Sequence, residues 1–234
     1  MAAQAGTSAA APGGSRNARG ERVRALLLDV AEEMFAARGI DAVSLNSIAR
    51  RANQFNASVM QYHFASKAGV IEAILARRME GINRRREELL ESIDPADRRA
   101  ALRQIAQAMV LPFAEHLQVE GGSRYLRFVA QVTFNADKSV FEMVRGKHDS
   151  AVRRIAELVK AIEVDMPPEL VRHRLAVVTN MVLFNIGERE KLRMTGRRSG
   201  VARLAADDFV ADLIEMIVAA LDAPVPGPRP EASA

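Results

Sequence analysis

The sequence predicts an all-α protein of about nine helices. Apolar residues recur at helical spacing along almost all of the 234 residues, and no segment alternates convincingly with the two-residue period of a β-strand. Boundary residues divide this pattern: Ser44, Ser66 and Pro95 stand where helices should begin, and Gly39 where the first should end. The predicted helices lie at about residues 23–38, 45–52, 57–63, 66–90, 95–121, 123–135, 139–162, 168–194 and 205–221.

The composition excludes several classes of protein. Charged residues make up 26% of the chain and hydrophobic residues 49%, which is ordinary for a globular protein, and no apolar run could span a bilayer. With no cysteine, the chain forms no disulfide and no thiolate metal site, which fits a cytoplasmic location. It has no glycine-rich phosphate loop and no closely spaced histidine–carboxylate motif, so we expect no enzyme, no metal and no cofactor.

Charge is distributed unevenly along the chain. Residues 1–86 carry 13 Lys and Arg against 7 Asp and Glu, a net +6. Since the whole chain has 33 against 29, the remainder carries 20 against 22, a net −2. A basic N-terminal part indicates a polyanionic partner at that end, although charge also fluctuates by chance along a chain.

The three N-terminal helices have the layout of a helix-turn-helix domain. A long helix with one apolar stripe precedes two short helices, and the polar turn Asn-Gln-Phe-Asn at residues 53–56 separates the short pair. In such a domain the first short helix braces against the DNA backbone, and the second presents side chains to the major groove. Many helical hairpins share this layout, so the layout alone is only moderately specific.

Three segments resemble the signature of the tetracycline-repressor (TetR) family. The chain has A-x-x-x-F-x-x-x-G over residues 31–39, S-x-x-x-I-A over 44–49 and Y-x-F-x-S-K over 62–67. The resemblance covers roughly residues 22–75 and implies a homodimeric transcriptional regulator, most often a repressor, that binds operator DNA and senses a small molecule. Two departures are present: Asn53 replaces the usual glycine of the turn, and residues 52–64 are one residue longer than the commonest form.

The resemblance also implies a DNA-binding surface above a small core. It places Asn46, Ser58 and Gln61 where side chains reach bases, and glutamine pairs well with adenine. The aromatic residues that end the second short helix, and the lysine after it, should contact phosphates. The predicted DNA-binding residues are Ser44, Asn46, Asn56, Ser58, Gln61, Tyr62, His63 and Lys67. The apolar residues expected in the core beneath them are Phe35, Ile48, Val59 and Phe64.

The C-terminal half should hold an effector pocket. Phenylalanine is the dominant aromatic residue, with nine against two tyrosines and no tryptophan, so such a pocket would favour an apolar or aromatic effector with one or two polar anchors. For each candidate, ordinary core packing or a solvated face is the alternative. The predicted lining residues are Met109, Phe113, His116, Phe128, Gln131, Phe134, Phe141, His148, Asn180 and Phe184.

The last two helices should form a dimer interface. Each carries an apolar stripe, and pairing both across a two-fold axis would give a four-helix interface, as the resemblance implies. The predicted interface residues are Met181, Val210, Leu213, Ile214, Ile217 and Leu221.

These expectations divide the chain into four parts. They are a disordered arm (1–19), the helix-turn-helix domain (20–66), the ligand-binding and dimerisation domain (67–222) and a disordered tail (223–234). The arginines at 84–86 should form a solvated face. Two alternatives stay open: an activator or a regulator that responds to a protein partner, and a ligand-binding helical protein without DNA function.

Overall fold

The computed structural model of the chain describes residues 13–56, 58–117, 122–135, 150–163, 165–196, 200 and 203–225, with the side chains of 13–16, 123, 134 and 135 excepted. Within these residues the chain forms nine α-helices and no strand, which confirms the predicted all-α fold. The helices are α1 (Gly13–Arg38), α2 (Leu45–Arg51), α3 (Val59–Phe64), α4 (Lys67–Leu90), α5 (Arg98–Ala114), α6 (Gly122–Asn135), α7 (Ser150–Ile162), α8 (Pro168–Met194) and α9 (Ala206–Asp222). A 3₁₀ turn at Glu115–Leu117 follows α5.

The first helix begins earlier than the apolar pattern predicts. Because α1 starts at Gly13, residues 13–19 of the predicted disordered arm are helical, and that boundary is wrong. These residues carry no apolar stripe, and the side chains of 17–19 are exposed. A helix nucleated by its buried part extends outward at little cost per residue, so α1 continues past the stripe that predicted it. The rest of the predicted arm and most of the predicted tail lie outside the described residues.

Side-chain caps set the starts of three helices. Ser44 and Ser47 form a reciprocal capping box at α2, in which each hydroxyl accepts from the other residue's backbone N–H, at 3.2 and 3.1 Å. Ser66 Oγ accepts from the N–H of Gly69 at 3.0 Å and begins α4 as predicted. Asp97 caps the N–H of Ala100 at 3.1 Å, so α5 begins after Asp97 and not at Pro95.

The N-terminal core has the predicted composition. Phe35, Ile48 and Phe64 are buried, and Val59 is half-buried and packs against them. They bring α1, α2 and α3 together, and α4 closes the group by packing against α1 and α3. The short helices α2 and α3 are therefore held in a fixed relation, as a helix-turn-helix requires.

The C-terminal helices pack around α6 and α5. Helix α6 contacts both α1 and α8, while α5 contacts α4 and α9. One buried apolar cluster runs through both halves of the chain, so the helix-turn-helix is not structurally isolated from the helices that follow. None of the helices in the described part of the chain has the length and apolarity needed to cross a membrane.

Arg86 departs from the predicted solvated arginine face. It is 4% exposed and lies over the ring of Phe113, 5.1 Å from the ring centroid. Residues 82, 86 and 90 share one face of α4, and that face is buried, so Arg86 points inward beside Ile82 and Leu90. Its aliphatic stem and planar guanidinium can both pack on an aromatic ring, which reduces the free-energy cost of burying the charged side chain.

Candidate DNA interface and effector region

Helix α3 turns one face to the core and the opposite face to solvent. Met60 and Phe64 are buried, whereas Ser58, Gln61 and Tyr62 are exposed. Ser58 makes no side-chain capping hydrogen bond. The exposed residues thus form an outward surface on α3, and their contacts with bases and phosphates stay a prediction.

The turn between α2 and α3 accommodates asparagine where the family usually has glycine. Asn53 has a positive φ of 53°, a left-handed conformation that asparagine tolerates better than most residues. The N–H of Gln54 donates to the carbonyl of Ala49 at 2.9 Å, and the N–H of Val59 donates to that of Asn56 at 3.1 Å. The turn is therefore tied to α2 before it and to α3 after it.

Three predicted DNA-binding side chains hold the domain together in this structure. Ser44 is engaged in the capping box of α2. Asn56 Oδ1 accepts from the N–H of Ser58 at 2.9 Å, and Lys67 Nζ donates to the carbonyls of Ile40 and Asp41 at 3.0 and 3.5 Å. These contacts give the three side chains a local structural role, and their contact with DNA stays a prediction. Asn46 is exposed on α2, and His63 is half-buried with its ring 4.9 Å from that of Tyr62.

A buried carboxylate fastens α1 to α4. Glu32 is 2% exposed and accepts hydrogen bonds from Arg78 Nη2 at 2.8 Å, Arg78 Nε at 3.2 Å and Arg77 Nη2 at 3.1 Å. Arg77 also donates to Asp29 at 2.8 Å. Burial alone would lower the pKa of Arg78, but the hydrogen bond and negative charge of Glu32 outweigh it and raise that pKa. The sequence alone does not indicate the role of Glu32, because that role depends on its contacts with arginines of α4, which is distant in the sequence.

An aromatic cluster joins α6 to the 3₁₀ turn and to α1. The Tyr125 ring lies 5.5 Å from His116 and 6.4 Å from Phe128, and the Arg78 guanidinium lies 5.7 Å from its centroid. Phe128 stacks on Phe35 at 6.0 Å. The cluster therefore places the C-terminal helices in direct contact with the first helix of the DNA-binding domain.

The hydroxyl of Tyr125 is the unusual group of this cluster. Tyr125 is fully buried, and its hydroxyl has no hydrogen-bond partner among the described residues. Burial raises its pKa, so the group stays a phenol with a proton to donate. Burial, followed by the positive charge of Arg78, lowers the pKa of His116. Sequence reasoning missed Tyr125 because it searched for phenylalanine and methionine and treated the chain's two tyrosines as minor.

The predicted effector residues separate into three groups. Met109, Phe113 and Phe128 are buried and His116 and Gln131 half-buried, all on the inner side of the helices. Asn180 and Phe184 are exposed on α8, with Phe184 54% exposed, so their assignment to an internal pocket of this chain is wrong. The side chain of Phe134 lies outside the described residues, as do Phe141 and His148.

An apolar groove of about 270 Å³ lies elsewhere, between the end of α5 and the start of α9. It was not predicted, and none of the predicted pocket residues lines it. Its lining residues are Leu111, Ala114, Glu115, Leu117, Ala206, Asp207, Val210, Ala211 and Ile214.

The predicted dimer interface is wrong for its central residues. Leu213, Ile214, Ile217 and Leu221 are buried within the single chain, where α9 packs against α5 and α8. Met181 and Val210 are half-buried. The apolar stripe of α9 therefore completes the chain's own core, and a partner chain would meet other residues.

Two family models match the sequence in order. The model of bacterial regulatory proteins of the tetR family matches residues 27–74, and that of the tetracyclin repressor-like C-terminal domain matches residues 107–220. Together with the helix-turn-helix geometry, these matches show that the chain belongs to the TetR family of DNA-binding transcriptional regulators.

Known proteins similar to this chain share its fold. The HTH-type transcriptional regulator SrpR of Pseudomonas putida is 26% identical over an alignment of 135 residues, which covers 51% of this chain and 63%, less than two thirds, of SrpR. NalD of Pseudomonas aeruginosa, the secondary repressor of the MexAB-OprM multidrug efflux pump, superposes with a TM-score of 0.58 at 18% identity, covering 86% of this chain and 95% of NalD. A transcriptional regulator from Saccharomonospora viridis in complex with choline has a TM-score of 0.53 at 20% identity, covering 84% and 96% of the two chains. At these identities the two structures show a common fold alone.

Proposed function

We propose that this protein is a homodimeric repressor that binds operator DNA through α3 and is released by a small, largely apolar effector. The observation that carries the proposal is the outward surface on α3, on a domain whose first helix is packed directly against the C-terminal helices. NalD is a repressor and the Saccharomonospora viridis protein binds choline, so the same fold serves repression and small-molecule binding in other proteins.

The effector should bind beside Tyr125. A buried hydroxyl without a partner among the described residues leaves a hydrogen bond to be made, and a ligand with an acceptor atom would supply it. Phe128, whose ring lies 6.4 Å from that of Tyr125, is apolar and buried, which suits an apolar or aromatic body. Because Phe128 stacks on Phe35, an effector that separates the aromatic side chains would displace α1 and the recognition helices with it.

A Tyr125→Phe variant tests the effector proposal. Wild-type protein bound to its operator is titrated with a panel of aromatic compounds that carry a carbonyl, ether or carboxylate acceptor. The variant keeps the ring and should bind operator like wild type, but release should need up to about tenfold more compound, the value of one hydrogen bond. Tyr62→Phe is the matched control, because it should change operator affinity and leave effector sensitivity intact. If no apolar compound releases the wild type, the protein-partner alternative takes precedence.

Dimerisation should use the exposed apolar residues of α8 and α9. These two helices pack against each other, and they expose Val177 at 42%, Phe184 at 54% and Met216 at 48%. Joining two copies through this face would keep the predicted four-helix arrangement while leaving Leu213 and Ile217 in the core of each chain.

Charge substitutions test whether this face forms the dimer. Phe184→Glu and Met216→Glu together should give folded monomers with weak operator binding, measured by light scattering and circular dichroism. Leu26→Glu, at an exposed apolar residue of α1 (44% exposed), should remain dimeric. A dimer that survives both charges would contradict this interface.

A further inference from the structure

The turn before α3 exposes a phenylalanine that the helix-turn-helix architecture does not require. Phe55 is 87% exposed and Tyr62 is 84% exposed, whereas Met194, the next large hydrophobic side chain of the described part, is 56% exposed. Phe55 lies in the turn before α3 and Tyr62 lies in α3, so both aromatic residues belong to the part of the domain proposed to bind DNA. Single exposed apolar residues are common, but a ring this fully exposed on a binding element indicates a surface that a partner covers.

The turn holds Phe55 in a defined position. Before it, the N–H of Gln54 donates to Ala49 in α2 at 2.9 Å. After it, the carbonyl and side-chain oxygen of Asn56 accept from Val59 and Ser58 at 3.1 and 2.9 Å. The backbone on both sides of Phe55 is thus engaged, so the ring extends from an anchored turn at the N-terminal end of α3.

That end of a recognition helix is the part that approaches base edges in the major groove. A phenyl ring has no hydrogen-bond donor or acceptor, so it cannot bind a phosphate as Tyr62 or Lys67 can. The apolar group that a base pair presents in the major groove is the 5-methyl group of thymine. We propose that Phe55 is a specificity-determining residue that contacts a thymine methyl group in each operator half-site. The inference rests on DNA binding through α3.

Phe55 belongs to a segment that is longer here than in the commonest family form. Relative to the commonest family form, the chain has one additional residue between Ala52 and Phe64. Phe55 lies within that range, four residues before α3 begins at Val59, so the ring is presented ahead of the first turn of α3. Gln61 and Ser58 would then read polar base edges, while Phe55 reads a methyl group.

Thymine-to-uracil substitution tests the contact, because it removes only the methyl group and keeps base pairing. The wild-type protein first selects its preferred duplex from a random pool, and each thymine of one half-site is then replaced in turn by uracil. For wild type, one replacement should weaken binding about fourfold, the effect expected for one buried methyl group. For Phe55→Ala the same replacement should have no effect, and the two proteins should converge in affinity on a duplex that carries uracil at that position in both half-sites.

Two controls show whether the uracil effect depends on the ring of Phe55. Tyr62→Phe should retain the fourfold uracil penalty at that position, because it keeps both aromatic rings. The thermal unfolding of Phe55→Ala should match that of wild type, since the ring is exposed in the free protein. Equal uracil penalties in wild type and Phe55→Ala, or a large loss of stability in Phe55→Ala, would overturn the inference. If wild type enriches no sequence from the pool, DNA binding itself fails, and that result is distinct from a contact wrongly assigned to Phe55.

Discussion

Replacing Glu32 with alanine should destabilise the folded protein by about 3 kcal/mol. Glu32 is the buried carboxylate that joins α1 of the DNA-binding domain to α4. The alanine variant removes the carboxylate that Arg77 and Arg78 share, so Arg78 loses its carboxylate partner while Arg77 keeps its contact with Asp29. Such a loss costs more than an ordinary hydrogen bond, since the charges that remain are only partly solvated.

The magnitude follows from three contacts and their exposure. Glu32 accepts one hydrogen bond from Arg77 at 3.1 Å and two from Arg78 at 2.8 and 3.2 Å. Breaking a fully buried ion pair costs about 3–5 kcal/mol. The arginine side chains keep 32% and 33% of their surface exposed, so water recovers part of that loss and the lower end applies. Glu32→Gln keeps the volume but loses the charge, so it should fall between wild type and the alanine variant.

Urea unfolding followed by far-UV circular dichroism measures the effect. All variants are compared at one protein concentration, because dimer formation contributes to apparent stability. Glu33→Ala is the matched control: Glu33 is the neighbouring residue, its side chain is 45% exposed, and it contacts Arg51 at 3.3 Å and Arg124 at 3.5 Å. These exposed pairs should contribute less than about 1 kcal/mol.

The double variant Glu32→Ala with Arg78→Met then isolates the pairwise contribution. If the charge contact carries the effect, the double variant should be more stable than the sum of the single losses predicts. Equal losses in Glu32→Ala and Glu33→Ala, or strictly additive losses in the double variant, would refute the reasoning.

Three further predictions test other parts of the structure. Burial, followed by the charge of Arg78, lowers the pKa of His116 in the folded protein from 6.5, so unfolding takes up a proton as the pH falls below about 6.5. Stability to urea should therefore fall from pH 7.5 to about pH 5.5, and it should fall less in His116→Asn. Lys67→Ala should weaken binding to every DNA sequence and lower the salt slope by about one, and loss of its carbonyl contacts should also lower the thermal midpoint; an unchanged slope would exclude a phosphate contact. A Cβ at Gly187 would lie 2.8 Å from Ala130 Cβ, so Gly187→Ala should lower the free energy of unfolding by about 1–3 kcal/mol. Adding Ala130→Gly should restore most of that stability, which urea unfolding can measure.

The sequence predicted the helix-turn-helix well because its signals are local. The apolar stripe of α1, the cap at Ser44 and the left-handed residue Gly39 each depend on a few neighbouring residues. The exposed positions Gln61 and Tyr62 follow from helical periodicity once α3 is located. The early start of α1 was missed, since solvated helix without an apolar stripe leaves no periodic signal.

The assignment of polar side chains was less predictable. Serine and asparagine are the residue types that cap helices and turns, and they are also permissive DNA contacts. Ser44 and Asn56 meet backbone N–H groups in their own segments, and nothing in the sequence distinguishes that use from base contact. Tyr125 was missed for a related reason: a buried hydroxyl without a partner is visible only when the surrounding helices are in place.

The dimer face shows most clearly how a burial pattern can mislead. An apolar stripe indicates that a helix face is buried, but it is the same whether the covering surface belongs to the same chain or to a second copy. On α9 the stripe of Leu213 and Ile217 is covered by the chain's own helices, so charges introduced there would disrupt folding before they affected assembly. The exposed apolar residues of the proposed interface, Phe184 on α8 and Met216 on α9, lie outside the buried stripe, so the stripe did not indicate them. In this fold the interface is therefore to be sought among exposed apolar residues beside the stripe, and not in the stripe itself.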